Sequence, residues 1–149
     1  MKEDRVIAGA ISGAVGSTVQ ILFEFFFKVM GFTDRYVVDM AKVFIMYKTF
    51  PGILSTIVGT TAQLFIGAIL GIGFAYLIQK TSSKYYFIKG LGYGGIIWVF
   101  FGTFGSLFKI PLFTVIPPNA AFLLLIGAFV FGIVTSFTLK YLEEKSNLI

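Results

Sequence analysis

Apolar residues along this chain come in four long runs, separated by short polar or proline-bearing segments. The most decisive run is Ile53–Ile78, ILSTIVGTTAQLFIGAILGIGFAYLI, 26 residues without a charge, with Pro51 just before it. As a helix it extends about 39 Å, more than a hydrocarbon core of about 30 Å. It therefore reads as a membrane span rather than a soluble core helix. The same pattern predicts spans over about 6–29, 53–79, 85–109 and 119–142, with Asn119 as a candidate N-cap of the last. The polar turn Thr81 to Lys84 separates the second and third spans. The following segment, IPLFTVIPP over 110–118, is apolar but holds three prolines, which argues against a long helix. The N-terminal apolar stretch continues to Met30, too long for the h-region of a signal peptide, so it reads as a retained first span. The tail beyond 142 starts polar and is expected to fray.

Between the first two spans the period changes. Tyr36, Val37, Met40, Ala41, Phe44 and Tyr47 recur at helical spacing, with Arg35, Asp39 and Lys42 on the other side. This predicts an amphipathic helix over about 34–48, lying on the membrane surface or capping the bundle. Pro51-Gly52 marks a break before the next span. The polar side suits a solvated face, or a docking face for a protein partner or anionic headgroups through Arg35, Asp39 and Lys42. The expected fold is thus all-α: an integral membrane four-helix bundle with an amphipathic surface helix between spans 1 and 2, in one transmembrane domain over 1–149.

Composition agrees with the pattern. Of 149 residues 57% are hydrophobic and 13% charged, against roughly 25% charged in soluble domains. The chain has no Cys and no His. That removes thiolate chemistry, most zinc, copper and haem sites, and Ser–His or Cys–His nucleophiles. With one acid inside the spans, general acid–base catalysis lacks its usual groups, so no enzyme, no metal and no cofactor is expected. The net charge of +5 comes from Lys and Arg at span ends rather than from a basic run, so nucleic acid is not an expected partner; membrane lipids are. With the N-terminus inside, Lys2, Arg5, Lys80, Lys84, Lys89, Lys140 and Lys145 face Lys28, Arg35, Lys42, Lys48 and Lys109 across the membrane. The excess favours both termini in the cytoplasm and the amphipathic helix outside.

Two offsets suggest a parallel two-hairpin pseudo-repeat. A shift of 81 residues places Gly9 on Gly90, Gly13 on Gly94, Phe23 on Phe104 and Lys28 on Lys109. A shift of 65 places Gly67 on Gly132 and Tyr76-Leu77 on Tyr141-Leu142. Gly and Phe are frequent here, so chance matches compete with design. The pairs Gly9/Gly13, Gly67/Gly71 and Gly90/Gly94 each line one helix face and permit close backbone approach. Packing inside one chain is the ordinary use of such faces; a homo-oligomer interface or a pore wall is the sharper one. The first half of span 1 is small and the second bulky, so its N-terminal half should pack closely and the other splay.

Few polar residues lie within the spans. Glu24 is the one acid there, on the same face as Gln20 and four residues before Lys28, which predicts an interfacial pair in preference to an ion or proton site. Gln63, mid-span beside Thr60 and Thr61, is expected either to hydrogen-bond across helices or to line a polar path with Gln20. Trp98 is too deep for a headgroup belt; it needs a partner for its N–H or lines a cavity.

The Gly-rich first span, the turn Phe32-Thr33-Asp34, and the third span with Gly90, Gly94 and Trp98 resemble small bacterial four-span membrane proteins of the YqhR type. The resemblance covers most of the chain and implies a bacterial cytoplasmic membrane protein. A lone Trp98 stands where that family has a heavier aromatic cluster, and the resemblance brings no activity and no site residues. Taken together, the expected function is a non-enzymatic oligomeric transporter or channel component. The alternative is a membrane-anchoring or assembly subunit docking a partner through the 34–48 helix.

Overall fold

A computed structural model describes residues 4–82 and 84–145; Lys2, Ser83 of the polar turn and the end of the tail lie outside the described residues. The described residues form five helices: α1 (Arg5–Val29), α2 (Val37–Met46), α3 (Ile53–Thr81), α4 (Tyr86–Leu107) and α5 (Pro118–Lys145). All but α2 are long and apolar enough to cross a membrane. The protein is an all-α membrane bundle.

Helix ends differ from expectation where local chemistry decides. α5 starts at Pro118 rather than after an Asn119 cap, because proline's missing N–H costs nothing at a first helical position. Asn119 Nδ2 instead donates to Phe32 O at 3.1 Å. α2 is shorter than 34–48. Tyr36 N donates to Asp39 Oδ2 at its start, and Tyr47 in the left-handed region (φ 62°) ends it.

α1 is the centre of the bundle. It packs on α3 along one flank and on α5 along the other, α4 leans on α5, and α2 lies across α3. Small residues make the first contact possible. A Cβ on Gly13 would strike the carbonyl of Gly67, and one on Gly71 would strike the carbonyl of Gly9. Farther along the seam Ser17 Oγ donates to Gln63 O at 3.3 Å. In the second hairpin Gly90 and Gly94 lie against the backbones of Gly132 and Ala128 in the same manner. All three small-residue pairs thus make contacts inside the chain. The Arg5 end is closed by Ala8, Phe74, Ala75, Ile78, Tyr86 and Leu139, with Tyr86 Oη donating to Glu143.

The two hairpins share a device but not a full symmetry. A strict twofold would make the α4–α3 seam a copy of the α1–α5 seam. In the α1–α5 seam, Gly16 lies against Thr135 and Phe131, and Gly127 lies against Glu24. Under the 81- and 65-residue shifts Gly16 and Gln20 become Ile97 and Phe101, while Thr135 becomes Leu70. These larger side chains hold α3 and α4 apart. The two helices meet at Tyr93, whose hydroxyl donates to Leu70 O at 2.6 Å and whose ring centroid lies 5.2 Å from that of Phe74. The remainder of that seam is open.

Candidate functional site: a cavity between α3 and α4

The open seam encloses a cavity of about 310 Å³. Its side walls include Ile66 and Leu70 of α3 and Ile97, Trp98 and Phe101 of α4. Met40 and Phe44 of α2, with Phe113 from the segment after α4, close it toward the Lys28 end. Gln20, Gln63 and Thr103 are the polar side chains on its wall.

The closing segment is held from two sides. Phe113 packs on Met40 and Val43, and its ring lies 5.0 Å from Phe44. Gly105 leaves room for that ring, because a Cβ there would run into it. Arg35 Nη1 donates to Leu112 O at 2.8 Å and Val115 O at 3.2 Å, while Nε and Nη2 donate to the two carboxylate oxygens of Asp34 at 3.0 Å each. Hydrogen bonding from Arg35 holds the exposed Asp34 carboxyl below its ordinary range. Nothing in the spacing of 110–118 marked it as part of a site. Its apolar composition between prolines was the one available sign that it packs inward.

α2 is not a helix with a solvated polar side. Asp39 and Lys42 are each 8% exposed, and the side that carries them turns into the protein. The cause is a charge cluster brought together by two helices. Asp39 Oδ2 accepts from Lys28 Nζ at 2.5 Å, and Asp39 Oδ1 lies 3.5 Å from Lys42 Nζ. Lys28 also lies 4.8 Å from the Tyr36 ring centroid. Burial of these charges is tolerated because they are paired.

The Glu24–Lys28 pair expected from sequence is replaced by this arrangement. Asp39 takes Lys28, and Glu24, fully buried, turns inward. Its Oε2 accepts from Val37 N, the first residue of α2, at 2.7 Å. Its Oε1 accepts from Gln20 Nε2 at 3.0 Å. Carboxyl oxygens at a helix N-terminus meet its unsatisfied N–H groups. Gly127 is the complementary residue on α5, since a Cβ there would overlap the carboxylate. Glu24 therefore anchors α2 over the cavity and supports Gln20 from behind.

Trp98 meets both of its expectations: Nε1 donates to Ala121 O at 3.2 Å, and the ring lines the cavity. Gln20 and Gln63, from α1 and α3, line the same space. Gln63 is 6% exposed, and among the described residues its carboxamide has no hydrogen-bond partner; its bond to Ser17 uses the backbone oxygen. The Gly pairs lie away from the cavity, in the helix seams.

The fold and site define an integral membrane helical bundle with an internal, mostly apolar cavity. Comparison with family models, curated proteins and solved structures gave no match to this chain.

Proposed function

We propose that the protein is a transport component of the membrane and that the cavity between α3 and α4 is where its cargo sits. The observation that carries this reading is the Gln63 carboxamide, on a largely buried residue, reachable from the cavity and with no protein partner among the described residues. An unpaired amide inside a membrane protein costs on the order of 1–3 kcal/mol, so a site that keeps one gains by receiving a hydrogen-bonding ligand. The asymmetry of the bundle supports the same reading. The cavity is closed at the Lys28 end by α2 and the 110–116 segment, elements outside the tightly packed spans. Those elements lie outside the four long helices, and the 110–116 segment, held by Arg35 and by Phe113 packed on Met40 and Val43, is the natural moving part.

Docking of a partner through Arg35, Asp39 and Lys42 has less to support it, because those side chains are engaged within the chain. Association of copies would use other surface than the Gly pairs, and the exposed side of α4 around Gly92 has open space.

The test is transfer from donor vesicles containing the purified protein, across a panel of labelled polar solutes and lipophiles. The wild type should accelerate departure of at least one. Gln20→Leu with Gln63→Leu should return that rate to the protein-free level. Equal rates for wild type and variant would contradict the reading.

A further inference from the structure

We infer that the ligand of this cavity is an uncharged lipophile with a single hydrogen-bonding group, a hydroxyl, carbonyl or amide, taken up sideways from the bilayer between α3 and α4. The inference rests on the transport reading only for the ligand's role as cargo; the binding chemistry stands on the cavity itself.

Depth comes first. Gln63 lies ten residues into α3 (53 to 63), about 15 Å along the helix. In a hydrocarbon core of about 30 Å that is the middle of the membrane. The hydrogen-bonding part of the ligand must therefore sit at mid-depth, where a phospholipid headgroup does not. Charge comes second. The wall carries Gln20, Gln63 and Thr103 but no ionised side chain; Glu24 is behind Gln20 and turned toward α2. An ion at this depth would lack a counter-charge and pay the full desolvation cost. Size comes third. About 310 Å³ is at the lower end of small-molecule pockets, which fits one chain or a ring rather than a two-chain lipid. The apolar walls, with Trp98 and Phe101 on one side and Ile66 and Leu70 on the other, supply the matching body contact.

The access route follows from the seam. α3 and α4 are joined at Tyr93 and separated beyond it, while the α1–α3, α1–α5 and α4–α5 seams are closed by small residues. Of the four long helices' seams, the one between α3 and α4 is therefore the one a bilayer molecule can pass.

A dodecanol bearing a chain diazirine tests this in phosphatidylcholine vesicles containing the full chain. After irradiation, adducts are mapped by peptide mass spectrometry. The expected result is labelling concentrated on Ile66, Leu70, Ile97 and Trp98. Excess dodecanol should remove it, whereas dodecane and dodecanesulfonate should each compete about tenfold less well. Gln63→Leu should abolish the advantage of dodecanol over dodecane. Because that variant alters a buried position, Leu70→Trp, which fills the cavity from its α3 wall, should independently remove the labelling. Adducts spread evenly over the exposed helix faces, equal competition by dodecane, or stronger competition by the sulfonate would each overturn the proposal. Transfer of the same alcohol to acceptor vesicles separates the two readings. Specific labelling without accelerated transfer overturns the transport reading and leaves the ligand class standing.

Discussion

Gly13→Val should leave little folded protein after extraction into mild detergent. A Cβ added at this position would overlap the Gly67 carbonyl and crowd the Gly71 backbone, so the clash is with main chain, which cannot rotate away. Relief requires α1 and α3 to separate along the Gly9–Ser17 seam, which also breaks the Ser17 bond to Gln63 O. Close approach of backbones is what associates membrane helices in the absence of a hydrophobic drive between them. The loss should therefore exceed the usual overpacking cost of about 1–3 kcal/mol. Gly92→Val is the control, because Gly92 is exposed, lies off the cavity, and a Cβ there meets nothing within 4 Å; its effect should stay near about 0.5 kcal/mol. The readout is the fraction surviving size-exclusion chromatography after a heating series. Equal midpoints for the two variants would show that the seam does not hold the bundle.

Glu24→Leu should release α2 while leaving the long helices assembled. The substitution removes the acceptor for Val37 N and for Gln20 Nε2 together, in a fully buried place. Leaving buried donors without a partner costs about 1–3 kcal/mol each, so the local loss should be about 3 kcal/mol, taking less than full additivity. Glu24→Gln keeps one acceptor oxygen and should lose less. Hydrogen exchange measures this directly. Amides over 37–46 should exchange on the order of a hundredfold faster in Glu24→Leu, with α1 and α3 near Gly13 and Gly67 unchanged. Unchanged exchange over 37–46 would mean that Asp39 and its lysines hold α2 without Glu24.

The spans were legible because a long uncharged run has one reading in a chain this apolar. The Ile53–Ile78 stretch became α3, which starts at the same residue and runs on to Thr81. The small-residue seams were also legible as close contacts, since Gly9, Gly13, Gly67 and Gly71 recur at one-turn spacing; only the partner helix had to come from the structure. The charges around α2 were not. Helical periodicity says which residues share a face, not what that face meets, so Asp39 and Lys42 read as solvated until Lys28 was seen to approach from α1. Glu24 was misassigned for the same reason. A neighbour four residues along is visible in a sequence, whereas the Val37 amide supplied by a folded-back helix is not. The cavity lay one step further away. It arises from the difference between two seams, Ile97 and Phe101 standing where α1 has Gly16 and Gln20, and that comparison needs the pairing of helices first.

Native mass spectrometry of the protein released from mild detergent, with Gln63→Leu beside it, tests the cavity most directly. The cavity as a cargo site predicts a small non-peptide mass retained by the wild type and lost from the variant. Bare protein in both, or a second polypeptide retained equally by both, would contradict it.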